Sequence, residues 1–143
     1  MENQQSLQKI TIEATIKAPV EKVWKLWVTP EHIINWNAAS DDWHTTSATN
    51  DLVIGGSFSS RMEAKDGSFG FDFGGVYDDV QTHKVIAYTM SDDRKVNTIF
   101  TNSGAETKVV TTFDAETTNP IAMQQGGWQA ILNNFKKYVE NIG

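Results

Sequence analysis

The chain has 143 residues, 39% of them hydrophobic, and a formal net charge of −6. This length suits one compact domain over residues 1–143 that buries about 70% of its unfolded surface, and an acidic balance without a basic stripe argues against nucleic acid as a partner. No apolar run reaches the roughly 18 residues a membrane span needs, the start MENQQSLQK lacks a signal peptide's apolar core, and the lack of cysteine removes disulfides and thiolate chemistry, so a cytoplasmic monomer is expected.

Residues 9–17 alternate Ile10, Ile12, Ala14 and Ile16 with polar neighbours, the period of a half-buried strand. Two short helices follow. Pro19 suits a first helical turn, whose N–H groups have no partner within the helix. Val20, Val23, Trp24 and Trp27 then share one helical face. Thr29-Pro30-Glu31 repeats the start signal, with a capping hydroxyl and an acid near the positive end of the dipole, and Ile33, Ile34 and Trp36 form the second apolar face. Residues 37–50 read as a polar loop with Trp43 inside it.

Gly55-Gly56 opens a strand in which Phe58, Ser60 and Met62 face one way, and Lys65-Asp66-Gly67-Ser68 reads as a hairpin turn. The next strand places Phe69, Phe71 and Phe73 on one face. Its Gly74-Gly75 pair marks either a bulge or the close approach of another backbone. Residues 84–90, 95–102 and 106–114 complete the antiparallel run. Asn119-Pro120 then starts a long helix with Trp128, Ile131, Leu132, Phe135, Val139 and Ile142 on a single face. Gly126-Gly127 costs that helix about 2 kcal/mol of propensity against alanine, which fits a bend, a close approach or a later helix start.

Strands bracketed by helices give an α+β class, with helices on one face of an antiparallel sheet. One helical stripe cannot cover six or seven flat strands, so the sheet must curl around it. Phe58, Met62, Phe69, Phe71, Phe73, Tyr77, Tyr88 and Phe100 supply the interior, as a solid aromatic core or as a partly open apolar pocket. No phosphate-binding glycine loop, zinc-protease helix or serine elbow is present. His32 and His83 read as surface or turn residues, and Asp92-Asp93 and Lys136-Lys137 as solvated charges. Asp41-Asp42-Trp43-His44 could bind a cation, shift a histidine pKa or present hydrogen bonds at a pocket mouth. Adjacent residues chelate one metal poorly, so no metal site and no cofactor is expected.

Several pieces recur together in order and spacing: Ala18-Pro19 with Val23-Trp24, Thr29-Pro30-Glu31 leading to Trp36, and Asp51-Leu52 with Gly55-Gly56. Asp66-Gly67, Gly75-Val76-Tyr77 and Gly127-Trp128 complete the set. On these residues the chain resembles the activator-of-heat-shock-chaperone-ATPase homologue family, within the START-like, birch-pollen-allergen-like (SRPBCC) superfamily, from about residue 9 to residue 142. The resemblance implies a helix-grip fold, a curved six- or seven-stranded antiparallel sheet around the C-terminal helix with a hydrophobic cavity between them. Asn37 departs from the family's frequent second tryptophan after Trp36, which affects the cavity floor.

The function implied is a binding module for a hydrophobic small molecule, lipid-like or planar and aromatic. Its expected contacts are Trp36, Trp43, Phe58, Met62, Phe71, Tyr77, Phe100, Trp128 and Leu132. The alternative is an enzyme of polyketide cyclase or aromatase type in the same cavity, with His44 transferring a proton, Asp42 orienting it and Trp43 stacking on substrate. A chaperone ATPase co-activator ranks third, because the eukaryotic activator attaches this domain to a chaperone-binding half for which 143 residues leave no room.

Overall fold

The computed structural model describes residues 8–142. In chain order the elements are β1 (Lys9–Ile16), α1 (Val20–Val28), α2 (Pro30–Trp36), β2 (Trp43–Asn50), β3 (Ser57–Ala64) and β4 (Gly70–Gln81). Then come β5 (Val85–Met90), β6 (Lys95–Ser103), β7 (Glu106–Asp114) and α3 (Ile121–Asn141). The strands form one seven-stranded antiparallel sheet ordered β1-β7-β6-β5-β4-β3-β2. The chain enters at one edge, crosses to the other through α1 and α2, and meanders back. This is the helix-grip α+β architecture, with the sheet curled around α3.

Three local readings change. The expected loop at 37–50 ends early, because residues 43–50 form edge strand β2, paired with β3 and shifted in register between Thr45 and Ser47. Its Trp-His-Thr-Thr-Ser-Ala-Thr-Asn composition has threonine's strand preference but none of the apolar alternation of a strand covered on one face. Thr29 is no side-chain cap; its hydroxyl donates back to the Lys25 carbonyl at 2.6 Å. Gly74 and Gly75 mark close approach rather than a bulge. A Cβ at Gly74 would lie 2.4 Å from the Phe58 oxygen, and one at Gly75 would lie 2.6 Å from that of Thr89. The irregularity in β4 falls two residues on, between Tyr77 and Asp79.

Helix α3 runs unbroken through Gly126-Gly127, and a Cβ at either position would meet nothing within 4 Å. Leu132, Phe135 and Val139 are buried on its inner face, and half-buried Trp128 stacks on Phe113 at 3.9 Å with the rings 11° apart. Gln124, one helical turn before Trp128, is buried too. Its amide receives the Glu116 N–H and donates to the Glu116 and Asn119 carbonyls, which fixes the loop entering the helix. A polar row on α3 meets the exposed edge of β1. Gln125 donates to the Thr11 carbonyl at 3.3 Å, Gln129 to that of Glu13 at 3.1 Å and Lys136 to that of Thr15 at 2.9 Å. Glu140 completes the row by accepting the Lys17 N–H at 2.9 Å.

Where the three helices meet, the interior is solid. Trp27 and Trp36 lie edge-on to fully buried Phe135 at 4.9 and 4.8 Å, and Phe100 packs against Trp24 and Trp27 at 5.2 and 5.5 Å. Phe69, placed inside by its period, is instead 62% exposed.

Candidate functional site

Beyond that aromatic block the sheet and α3 diverge around a cavity of about 520 Å³. Strand alternation sends every second side chain inward, so β3 contributes Phe58, Ser60 and Met62, and β4 contributes Phe71, Phe73 and Tyr77. Ile86 and Tyr88 of β5, Val96 and Thr98 of β6, Thr111 of β7 and Ile12 of β1 continue the wall. Gly127, Trp128, Ile131 and Leu132 of α3 close it opposite the sheet, and Trp36 and Trp43 border it from the helix-pair side. At the rim Trp43 meets Phe71 and Phe69 at 5.9 and 6.1 Å.

Few polar groups interrupt this lining. The Tyr77 hydroxyl donates to the Asn50 side-chain oxygen at 2.5 Å, and the Asn50 amide donates to the Val28 carbonyl at 2.7 Å. That relay ties β4 and β2 to the end of α1. The Tyr77 backbone is clamped in turn: its carbonyl accepts the Gly55 N–H and its N–H donates to the Gly56 carbonyl, both at 2.9 Å. Gly55 holds φ at +87°, which glycine adopts without strain. The Thr98 and Thr111 hydroxyls satisfy one another at 2.8 Å. Tyr88 packs edge-on against Phe58 at 4.7 Å, and its hydroxyl has no hydrogen-bond partner among the described residues.

Arg94, the last residue of the β5–β6 turn, brings a positive charge to this apolar wall. Asp93 adopts φ of +72° in that turn, and Asp92 accepts both the Arg94 backbone N–H at 3.2 Å and its Nε at 2.8 Å. Burial pulls the Asp92 carboxyl upward, but the hydrogen bonds and charge of Arg94 outweigh it and hold the group below the ordinary carboxylate range. Burial pushes the Tyr77 phenol well above its usual value, with the Asn50 bond working the other way. Burial does the same to Tyr88; the charge of Tyr77 adds to the rise and the Arg94 cation opposes it.

The structure thus brings Trp36, Trp43, Phe58, Met62, Phe71, Tyr77, Trp128 and Leu132 together around one cavity. Phe100 is a correction: it is buried behind Trp27, against Trp24 and Trp27, and is not among the residues that line the cavity. His44 and Asp42 are corrections too. Both are exposed and neither borders the cavity. His44 sits opposite Glu63 on β2 and borders a wider, polar depression with Asp41, Lys65 and Lys137, while Asp42 accepts the Ser40 hydroxyl at 2.5 Å. Among the described residues no group of three or more His, Asp or Glu side chains could hold a metal ion.

Residues 17–140 match the family described as Activator of Hsp90 ATPase homolog 1-like protein. The chain belongs to that family. An AHSA1-like protein from Aeromonas hydrophila, known from its solution structure, is 50% identical, with 93% of this chain and 92% of that one covered and a TM-score of 0.88. A Cytophaga hutchinsonii protein is 56% identical over 93% of this chain and 92% of its own, with a TM-score of 0.81. A Chromobacterium violaceum protein shares the fold at 19% identity, covering 94% of this chain and 98% of that one with a TM-score of 0.83. Among curated proteins, none matches the chain.

Sequence reasoning passed over Arg94, although the signal was there. Arg94, Val96, Thr98 and Phe100 share one period of two, and the last three are buried on the inner face. Asn50 gave no comparable signal, since its role depends on α1 ending beside it.

Proposed function

We propose that this domain is a binding module that holds an apolar small molecule, planar and aromatic or lipid-like, between the sheet and α3. The observation that carries the reading is the cavity itself. At about 520 Å³ it falls within the roughly 300–1,000 Å³ typical of ligand sites, and its wall is mostly aromatic with a few convergent polar groups. Trp128, Phe58 and Phe73 supply aromatic surface to the lining, and Tyr77 and Tyr88 add phenols to it.

A naphthalene-based probe should raise the melting temperature progressively with concentration, because it binds the folded chain alone. Ser60→Leu places a branched side chain on the inner face between Phe58 and Met62 and should remove that rise while leaving the fold intact by circular dichroism. An unchanged melting temperature across a panel of apolar probes would sink the reading, as would unaltered affinity in Ser60→Leu.

A further inference from the structure

The cavity wall carries one full charge, and it is held in place. Arg94 keeps only 20% of its side chain exposed, whereas its partner Asp92 keeps 55%. The pair therefore straddles the rim, with the carboxylate toward water and the guanidinium toward the cavity. Asp92 engages Nε and the backbone N–H. Among the described residues, Asp92 is the sole hydrogen-bond partner of the Arg94 guanidinium, so the two Nη groups at the end of the fork remain available. Tyr88 lines the same cavity, and its hydroxyl is also unpartnered among the described residues. No Asp or Glu lines this cavity to answer these donors.

Donors without an acceptor inside an apolar wall define what the missing acceptor must be. A planar guanidinium edge matches a carboxylate with two parallel hydrogen bonds, which are stronger than bonds between neutral groups. A multiply charged head is disfavoured, because the chain carries a net charge of −6 and Asp92 stands beside the site. We infer that the cavity selects amphipathic monoanions, each an apolar body with a single carboxylate whose oxygens take the Arg94 Nη groups and the Tyr88 hydroxyl. The inference rests on the binding role proposed above and adds the ligand's charge and the residues that read it.

The test compares naphthoate with naphthamide, which share shape and differ in charge, by isothermal titration against the wild-type chain, Arg94→Gln and Asp92→Asn. The wild type should bind the acid at least about tenfold more tightly than the amide, the scale of a charge-assisted hydrogen bond. Arg94→Gln should erase that preference and leave amide affinity unchanged. Asp92→Asn should tighten acid binding roughly twofold or more, by releasing the guanidinium from a competing carboxylate. If Arg94→Gln does not fold, Arg94→Lys should keep part of the preference, and the opposite shift in Asp92→Asn still decides the matter. Equal binding of acid and amide by the wild type, or a preference that survives Arg94→Gln, overturns this inference alone. Binding of neither probe overturns the cavity reading and this inference with it.

Discussion

The two ends of the interior are built from the same kinds of side chain and reach opposite outcomes. Under α1 and α2, the rings of Trp24, Trp27, Trp36, Phe100 and Phe135 pack against one another at 4.8–5.5 Å, with Trp27 and Trp36 forming the border toward the cavity. Beyond them, Phe58, Phe73, Tyr77, Tyr88 and Trp128 also meet ring to ring, yet they surround about 520 Å³. Aromatic content does not separate core from cavity. Helical cover does. Three helices converge on the first region, and Trp24 and Trp27 from α1, Trp36 from α2 and Phe135 from α3 fill the concave sheet. In the second region α3 is the main cover, and at Gly127, which lines the cavity, it withholds a side chain where a Cβ would meet open space.

The sharpest way to break this contrast is a matched pair of truncations. Phe135→Ala should cost about 3–5 kcal/mol in urea unfolding, because it opens a void where neighbours already touch on every side. Phe58→Ala faces existing space and should cost about 1–2 kcal/mol. Equal losses would mean that the second region is as tightly packed as the first.

Alkaline pH should sharpen the contrast, because only the hollow region has phenols among its rings. Tyr77 and Tyr88 are held above the ordinary tyrosine value by burial. The unfolded chain therefore releases these protons first and binds fewer than the native state once pH passes about 10. Stability is fully present below that value. Above it, each phenol should remove up to about 1.4 kcal/mol per pH unit. Tyr77→Phe should flatten the fall in melting temperature between about pH 10 and 11, and an identical slope in the variant would show that the phenol ionises freely in the fold. The smallest expected effect is a gain. Gly126→Ala should stabilise by up to about 1 kcal/mol through helix propensity, and a loss would reveal that α3 needs the glycine for a strain the helix geometry does not show.

Much of the architecture was legible in the sequence because burial on one side leaves a period. The alternation of β1 and the apolar stripes of α1 and α3 are direct imprints of the surfaces they cover. Strand β2 left no such imprint; polar side chains flank Thr45, which is buried and bonded to the Asn37 carbonyl at 2.6 Å. The site was legible as a set of inward aromatics and illegible in depth. Alternation says that Phe100 points inward, but not that α1 lies over that end of β6. The pairing of His44 and Asp42 with Trp43 failed for a simple reason: adjacent residues at the start of a strand point to opposite faces. With Trp43 turned to the cavity, the residues beside it turn away. Arg94 obeys the same alternation, two positions before Val96, and its signal went unread.

The row of donors from α3 onto β1 has a consequence for assembly. An open sheet has two edges, and either can recruit a strand from another molecule, which is how sheets grow into fibres. Here the carbonyls of Thr11, Glu13 and Thr15 are already taken by Gln125, Gln129 and Lys136. A newcomer at that edge would have to strip the helix of its anchors first. The remaining edge is β2. Growth with a single open end stops at two copies, because joining β2 to β2 uses up the only open edge among the described strands. The bonds that hold the helix in its grip also make this sheet a chain terminator.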